Sequence, residues 1–167
     1  MKQTKWFERQ FPIIQDNGLL PTIIERLEGT GARLASKIER IDFTRVRPVN
    51  DRWSIKKEIG HLLDLEPLWL ERAIQIINNS PRLVAADLTN KKTNETNHDE
   101  RNIKDLVAEF AENRKRFTDL LRNVTDEDLQ KASIHPRLGT PMKIVDLAYF
   151  VAEHDDHHLA RITFLSQ

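Results

Sequence analysis

Hydrophobic residues recur at about every 3.6 positions, the period of an α-helix, in four long segments of this 167-residue chain. This period places the apolar side chains along one face of each helix, and that face is stable only when it packs against another element. Only five glycines are present, which disfavours a fold of many strands and tight turns. The predicted helices span residues 20–41, 54–79, 103–123 and 140–165. The pattern therefore predicts an all-α fold, a four-helix bundle without a sheet.

Capping residues and prolines mark the expected ends of these helices. Ser54 and Asn102 are good N-caps for the second and third helices, because their side chains accept hydrogen bonds from backbone N–H groups of the first turn. Thr140 is predicted to cap the last helix, with Pro141 at its first position, where a missing N–H costs little. Pro67 lies inside the second segment and is expected to kink or interrupt that helix.

Residues 80–102 separate the second helix from the third. They are rich in Asn, Thr, Asp and Lys and lack a hydrophobic period, which predicts a long surface loop that crosses the bundle. After the third helix, Thr125 and Asp128 have the spacing of a capping box, with Asp in place of Glu, and predict a short helical turn. The length of the chain predicts a single domain over residues 1–167.

The composition excludes several classes of function. Lysine plus arginine number 26, as do aspartate plus glutamate, and the charges are interspersed, which disfavours nucleic acid or an anionic membrane as a partner. Cysteine is absent, so disulfides, thiolate metal sites and a cysteine nucleophile are excluded, and any metal ligand has to be His, Asp or Glu. Neither a signal-peptide run nor an apolar stretch of about 18 residues occurs, and a cytoplasmic protein is the expectation.

Two of the six histidines, His154 and His158, lie on the apolar stripe of the last predicted helix. They are one helical turn apart, the spacing at which two imidazoles reach a single metal ion. His157 points about 60° away from His154 and is a poorer candidate. A single buried histidine is usually a satisfied core residue, but two imidazoles without partners would each cost roughly 1–3 kcal/mol. A shared divalent ion explains the pair more simply.

A third ligand has to come from another helix. His61 lies in the apolar part of the second predicted helix, whereas His98 falls in the polar segment and His135 precedes Pro136. His61 is therefore the candidate by elimination, although for this histidine alone a helix flank without a metal is an equally good interpretation.

Three carboxylates lie close to these histidines in the sequence. Asp155 is near the apolar stripe of the last helix and is a candidate either for a partner of an imidazole or for a catalytic group. Asp64 and Glu58 lie one turn from His61 and are candidates for orienting its second ring nitrogen, as carboxylates beside metal ligands commonly do. Solvated helix charges are an equally good interpretation of both.

Three motifs, considered together, resemble a known family. Arg-Trp-Ser-Ile at 52–55 leads to His-Leu-Leu-Asp at 61–64, Gly-Thr-Pro-Met stands at 139–142, and the last helix carries His-x-x-x-His at 154–158. In order and spacing these resemble the DinB/YfiT-like superfamily, from about residue 19 to residue 165.

The resemblance implies an up-down-down-up four-helix bundle, often dimeric, in which three histidines bind nickel, zinc or another divalent ion. His61, His154 and His158 match those family positions. Members of the family include S-transferases that use bacillithiol, isomerases that use mycothiol, and proteins described as metal-dependent hydrolases. A homodimer and a small-molecule substrate, together with a low-molecular-weight thiol, are thus the partners that the resemblance implies.

Three functions compete at this point. In the leading hypothesis the ion binds a low-molecular-weight thiol as its thiolate, which attacks a small electrophile, and the histidines are ligands only. In the alternative, a hydrolase, the ion lowers the pKa of a bound water and Asp155, Asp64 or His157 is the general base. The third is a metal-binding or stress-response module without catalysis.

Overall fold

Five helices and one pair of short strands make up the structure, a computed structural model that describes residues 3–44, 46 and 52–167. The helices are α1 (Leu20–Arg40), α2 (Ile55–Ile77), α3 (Lys91–Glu95), α4 (Ile103–Arg122) and α5 (Ile144–Leu165). Strands β1 (Ser133–Ile134) and β2 (Pro141–Met142) pair in antiparallel orientation before α5. Short 3-10 turns occupy Trp6–Glu8, Asn17–Leu19, His98–Glu100 and Asp128–Gln130.

Contacts between the four long helices determine their directions. The start of α1 contacts the end of α4, so these two are antiparallel, whereas α1 and α5 contact each other start to start and end to end. The start of α2 contacts the end of α5, so α2 runs against both α5 and α1. For α1 and α4 the contacting pairs are Glu25–Arg122 and Gly31–Ala111. For α1 and α5 they are Arg26–Glu153 and Lys37–Thr163, and for α2 and α5 they are Glu58–Arg161 and Trp69–Phe150.

These directions give an up-down-down-up bundle, as the resemblance implies. Because α2 and α4 are parallel, the chain has to return along the whole bundle between them, and the connection from residue 78 to residue 102 does so. Each of α1 and α2 packs on both α4 and α5. In the part of the chain that the structure describes, no helix has the length and apolar character needed to cross a membrane.

The core consists of two apolar halves. One half joins the start of α1 to the end of α2, and the other joins the end of α1 to the start of α2, each with the facing parts of α4 and α5. Representative members are Leu27, Trp69, Phe117 and Val151 in the first half and Leu34, Ile59, Phe110 and Ile162 in the second. Between the halves lies a group of buried polar side chains.

Arg114 of α4 is the centre of this polar group. Its guanidinium donates to Glu66 of α2 at 3.0 and 2.6 Å and to Asp155 of α5, with one bond of 3.0 Å to Asp155 Oδ1. The hydroxyl of Thr30 on α1 donates to Asp155 at 2.8 Å, and the Leu27 carbonyl accepts from Arg114. Burial by itself lowers the pKa of Arg114, but the two carboxylates raise it well above its usual range. Arg114, Glu66, Asp155 and Thr30 therefore form a buried ion-pair cluster with a member on each of the four long helices.

The capping residues of α2, of α4 and of the turn after α4 are confirmed. The Ser54 side chain accepts from the Lys57 N–H at 3.1 Å, and the Asn102 side chain accepts from the Lys104 N–H at 2.8 Å. In the turn after α4, the Thr125 N–H and the Asp128 carboxylate are 3.0 Å apart. The α2 helix continues through Pro67, so of the two expected effects, a kink or an interruption, the interruption is wrong.

The predicted start of the last helix is wrong. Pro141 pairs with Ile134 in the two-stranded sheet, and α5 begins at Ile144, where the Asp146 carboxylate accepts from the N–H of Lys143 at 2.9 Å. The fixed φ of proline suits the edge of a strand as well as the first turn of a helix. Pro141 lies in a strand because Ile134 pairs with it and because Gly139, in the left-handed region at φ +71°, turns the chain between them. The expectation of a bundle without a sheet is therefore also wrong.

The segment 80–102 is not a simple surface loop. It contains α3 and a 3-10 turn, and it buries Leu83, Thr93 and His98 against the bundle. Polar side chains can be buried there because α2 presents hydrogen-bonding partners to them, and a hydrophobic period cannot reveal such partners.

We expect the charge of Arg114 to determine stability. Arg114→Met leaves the carboxylates of Glu66 and Asp155 buried without a cation and should lower the free energy of unfolding by about 3–5 kcal/mol. Arg122→Met is the matched control on the same helix, because Arg122 also pairs with two carboxylates, Glu25 and Glu28, but on the exposed surface. It should change stability little. Urea unfolding followed by tryptophan fluorescence measures both, and equal losses would contradict this account.

Candidate metal centre

His61 of α2 and His154 and His158 of α5 converge inside the bundle. Each of the three can direct one ring nitrogen so that these atoms all lie within 4.8 Å of one another, and the ring centroids are 4.5–5.3 Å apart. All three side chains are buried, with 4–5% of their surface exposed. Among the His, Asp and Glu residues that the structure describes, this is the group with the spacing of a metal site.

The hydrogen bonds of His158 leave one nitrogen available to an ion. Its Nδ1 lies 2.6 Å from Glu58 Oε2, and the other oxygen of Glu58 accepts from Arg161 Nε at 2.6 Å. A carboxylate so paired accepts a hydrogen bond from Nδ1–H of the imidazole, so Nε2 of His158 carries the lone pair. Burial raises the pKa of Glu58, whereas Arg161 opposes that rise.

His61 is held by a chain of hydrogen bonds from the crossover connection. The Thr93 hydroxyl donates to Asp64 Oδ2 at 2.9 Å, and its oxygen lies 3.1 Å from His61 Nδ1. Because the one hydroxyl proton goes to Asp64, Nδ1 of His61 has to be the donor and Nε2 carries the lone pair. Asp64 also accepts from His98 at 2.9 Å and lies near Lys92.

In the part of the chain that the structure describes, His154 alone of the three converging imidazoles has no hydrogen-bond partner outside the group. Its buried Nδ1 has no hydrogen-bond partner among the described residues, and its Nε2 lies 3.2 Å from Nε2 of His158. Two ring nitrogens that ligate one ion at about 2.0–2.1 Å are themselves about 3.0–3.4 Å apart. The distance between the Nε2 atoms of His154 and His158 matches this spacing, and His61 and His158 each have a fixed lone pair, so the group suits a divalent ion.

Burial keeps these imidazoles neutral, which is the form that binds metal ions. It lowers the pKa of His61 to about 4 and the pKa values of His154 and His158 well below their ordinary range. His157, next to the pair, also has its pKa lowered by burial, to about 4.

The other sequence-predicted site residues occupy different places. Both oxygens of Asp155 bond to Arg114, so its carboxylate belongs to the ion-pair cluster and not to the wall of a cavity. His157 stays outside the three-histidine group, with Nδ1 3.1 Å from the Gln3 side-chain amide. Glu58, expected beside His61, holds His158 instead, because it extends across to α5.

Sequence analysis missed Thr93 and His98. Both lie in the segment taken for a polar loop, yet only 2% and 1% of their surfaces are exposed. The His98 ring lies directly on Gly60, where a built Cβ would come within 2.4 Å of it. The glycine in an otherwise good helix, one residue before His61, was the available signal for such a close approach.

A cavity of about 450 Å³ opens beside the three histidines. All three tryptophans of the chain line it, as do Phe7 and Phe150, so that its walls are largely aromatic. Polar groups that line it include His135, His157 and the arginines Arg72, Arg137 and Arg161. The site therefore joins a buried group of metal-binding type to a space large enough for a small molecule.

Fold and site define a class: four-helix bundles whose inner helix faces carry a three-histidine group beside a small-molecule cavity. The sequence profile of the DinB superfamily matches residues 21–162, and this chain belongs to that superfamily. Among solved structures it is similar to YfiT from Bacillus subtilis, described as a probable metal-dependent hydrolase with an unusual four-helix bundle topology. That match has a TM-score of 0.78 and 23% sequence identity, and covers 95% of this chain and 92% of the other. No curated protein sequence matches the chain.

The ligand assignment predicts which variants lose metal. His61→Ala, His154→Ala and His158→Ala should each abolish stoichiometric binding of nickel or zinc, since two imidazoles hold such ions far more weakly than three. His157→Ala should keep it, because His157 lies outside the group although it is just as buried. Elemental analysis after loading and desalting measures the stoichiometry. Wild-type stoichiometry in all four variants would contradict the assignment.

Replacing Gly60 with alanine should lower stability, although alanine has the higher helix propensity. Replacing an exposed helical glycine with alanine usually stabilises by roughly 0.5–1 kcal/mol, and Gly29→Ala should do so because nothing lies within 4 Å of its added methyl. Gly60→Ala gains the same propensity but displaces His98 from Asp64. We expect lower stability and weaker metal binding for this variant, measured by urea unfolding and by competition with a chelator. A stabilised Gly60→Ala with unchanged affinity would rule this out.

Proposed function

We propose that this protein is a metal-dependent enzyme that holds one divalent ion, nickel or zinc, with His61, His154 and His158. The observation that carries the proposal is the convergence of three neutral imidazoles beside a cavity, with the protons of His61 and His158 directed away from the shared centre. Three protein ligands are typical of a catalytic site, because they leave a position for substrate. The small-molecule substrate binds in the adjoining aromatic cavity.

The bound ion would supply Lewis acidity, which lowers the pKa of a thiol or a water in its coordination sphere. The chain itself fixes the ligands. Glu58 holds the proton of His158, and Thr93 with Asp64 holds that of His61. The buried cluster of Arg114 holds α5 against α2, and we therefore assign Asp155 and Asp64 positioning roles in place of the catalytic ones considered from the sequence.

The reaction that the geometry supports best is thiol-dependent S-transfer. In this reaction the sulfur of a low-molecular-weight thiol forms a bond to an electrophilic carbon, and the leaving group departs with its electron pair, while the thiol proton passes to solvent. No side chain has to act as a general base. This suits the site, because the carboxylates of Glu58, Asp64 and Asp155 are all engaged by cations or donors.

Hydrolysis is the second candidate, favoured by the description of YfiT as a probable metal-dependent hydrolase. The general base considered for it is His157, one of two cavity-lining imidazoles outside the ligand set, whose ring centroid lies 5.3 Å from that of His158. The other, His135, lies against Arg72 instead. The Gln3 amide nitrogen, however, contacts both Nδ1 and the carbonyl of His157, so it acts as the donor and engages the lone pair of Nδ1. His157 is therefore poorly prepared to accept a proton.

One set of assays separates the candidates. Nickel-loaded and zinc-loaded protein should convert 1-chloro-2,4-dinitrobenzene and a low-molecular-weight thiol such as bacillithiol or mycothiol to the thioether and chloride. His154→Ala should abolish this rate and His157→Ala should retain most of it. Hydrolysis of ester and amide substrates without thiol, lost in His157→Ala, would contradict S-transfer and favour the hydrolase. Absence of metal-dependent turnover with all substrates would overturn the enzyme proposal and favour a metal-binding module without catalysis.

Two further expectations stay predictions. These are the homodimer, which rests on the family resemblance, and the cytoplasmic location.

A further inference from the structure

Arg137 lines the same cavity, and no carboxylate of the described residues pairs with it. Its Cζ atom lies 5.5 Å from the ring centroid of Phe7 and 5.9 Å from that of Phe150. Its Nη2 is buried and, among the described residues, has no hydrogen-bond acceptor. Leaving a buried guanidinium donor unsatisfied is costly, so such a group usually has an anion or a carbonyl beside it.

Arg72, on α2, is a second cavity-lining arginine without a bonded carboxylate among the described residues. Only 2% of its surface is exposed, and its Nε and Nη2 donate to the Val84 carbonyl at 3.1 and 2.9 Å. No carboxylate is bonded to it in the part of the chain described, and Glu71, an exposed neighbour, acts on it only at a distance. Burial and the charge of Arg137 lower the pKa of Arg72 to about 10, so it is still a cation at neutral pH.

The contrast with the other buried and half-buried arginines that the structure describes, each of which pairs with a carboxylate, is informative. Arg114 and Arg161 each bond to at least one carboxylate, and Arg26 and Arg33 on α1 do so as well. Arg72 and Arg137 instead both line this cavity, and the charge of Arg137 lowers the pKa of Arg72, as expected of two neighbouring cations. Two neighbouring cations without an anion are therefore a local feature of this cavity and not a general property of the chain.

His135 makes the shortage of acceptors more severe. Its Nδ1 accepts from the backbone N–H groups of Arg137 and Leu138, each at 3.2 Å, while its Nε2 lies 3.3 Å from Nη1 of Arg72. A neutral imidazole has one acceptor nitrogen, so it cannot satisfy both the backbone pair and Arg72. Burial and the two arginines lower the pKa of His135 to about 4, so it carries no charge at neutral pH. Whichever tautomer it adopts, donors exceed acceptors at this point.

We propose that Arg72 and Arg137 form a subsite for a carboxylate group of the substrate, which supplies the missing charge and the missing acceptors. Arginine presents several N–H donors in a planar fork that matches a carboxylate, and such a pair is strongest in an apolar surrounding. This proposal names the substrate class for the site described above and in that sense rests on the proposed function.

The subsite lies within reach of the metal centre. The Trp69 ring centroid is 5.5 Å from the ring centroid of His154 and 5.5 Å from Cζ of Arg72, so a single indole separates the two. Trp6, Trp69 and Phe150 line the cavity between them. The substrate that fits has a carboxylate at the arginines, an apolar or aromatic body along these rings, and its reacting atom at the histidines.

The test uses phenylacetate as the probe and phenylacetamide, its neutral isostere, as the comparison. All three tryptophans line the cavity, so quenching of tryptophan fluorescence reports binding directly, with calorimetry as confirmation. Chelator-treated full-length protein is measured first, because without an ion a carboxylate can be held by the arginines alone. Phenylacetate should bind at least roughly tenfold more tightly than phenylacetamide, as expected for a charge-assisted pair.

Variants at Arg137 give the decisive comparison. Arg137→Gln should remove the preference for the carboxylate and leave the affinity for phenylacetamide unchanged, and Arg137→Lys should restore part of the preference. Arg122→Gln, which removes an exposed arginine that pairs with glutamates outside the cavity, is the control and should behave as wild type. Circular dichroism and unfolding midpoints confirm that each variant is folded.

The outcomes distinguish this proposal from the enzyme proposal. Equal affinity for the acid and the amide in folded wild-type protein, or an unchanged preference in Arg137→Gln, would overturn the carboxylate subsite whatever the activity. Absence of metal-dependent turnover with an intact carboxylate preference would overturn the catalytic proposal alone. Preference that appears only after metal loading would show that the ion, and not the arginines, binds the anion, and would also overturn the subsite.

Discussion

The buried ion pair of Arg114 with Glu66 and Asp155 is the contact on which the arrangement of the bundle depends. Burying these charges has a large desolvation cost, which is offset only when their geometry is satisfied. A slip of α2 or α5 by one turn would leave a carboxylate without its cation. Because Asp155 lies between His154 and His158, and Glu66 lies five residues beyond His61, the register that satisfies Arg114 also brings the three imidazoles together.

Polar contacts outside the four helices complete the site. The parallel arrangement of α2 and α4 requires a long crossover, and this crossover supplies the Thr93 hydroxyl that orients His61 and the His98 ring that holds Asp64. A connection that a helical bundle needs for topological reasons thus also holds the buried histidine His61. The N-terminal segment contributes from the other side, where Trp6 contacts the His154 ring at a centroid distance of 4.9 Å.

The sequence predicts the helices and the ligand set for physical reasons that are local. Apolar periodicity and the N-caps Ser54 and Asn102 act within one helix, and the spacing of His154 and His158 is a property of a single turn. Pairings between distant residues leave no such periodic signal. The strand pairing of Pro141 with Ile134, the burial of His98 on Gly60, and the ion pair of Asp155 with Arg114 all depend on residues that belong to different elements. The sequence therefore indicated the histidines and the carboxylates Glu58 and Asp64, but it placed Glu58 beside the wrong imidazole and did not reveal Thr93 and His98.

The central claim is that three imidazoles share one ion beside an open coordination position, and X-ray absorption spectroscopy of the metal-loaded protein tests it most directly. At the zinc or nickel edge, the account predicts three imidazole nitrogens, for zinc at about 2.0–2.1 Å, with the multiple scattering of histidine rings. Addition of a thiol should then introduce a sulfur neighbour without loss of an imidazole. A spectrum with one imidazole or none, or with carboxylate oxygens as the main protein ligands, would contradict the account.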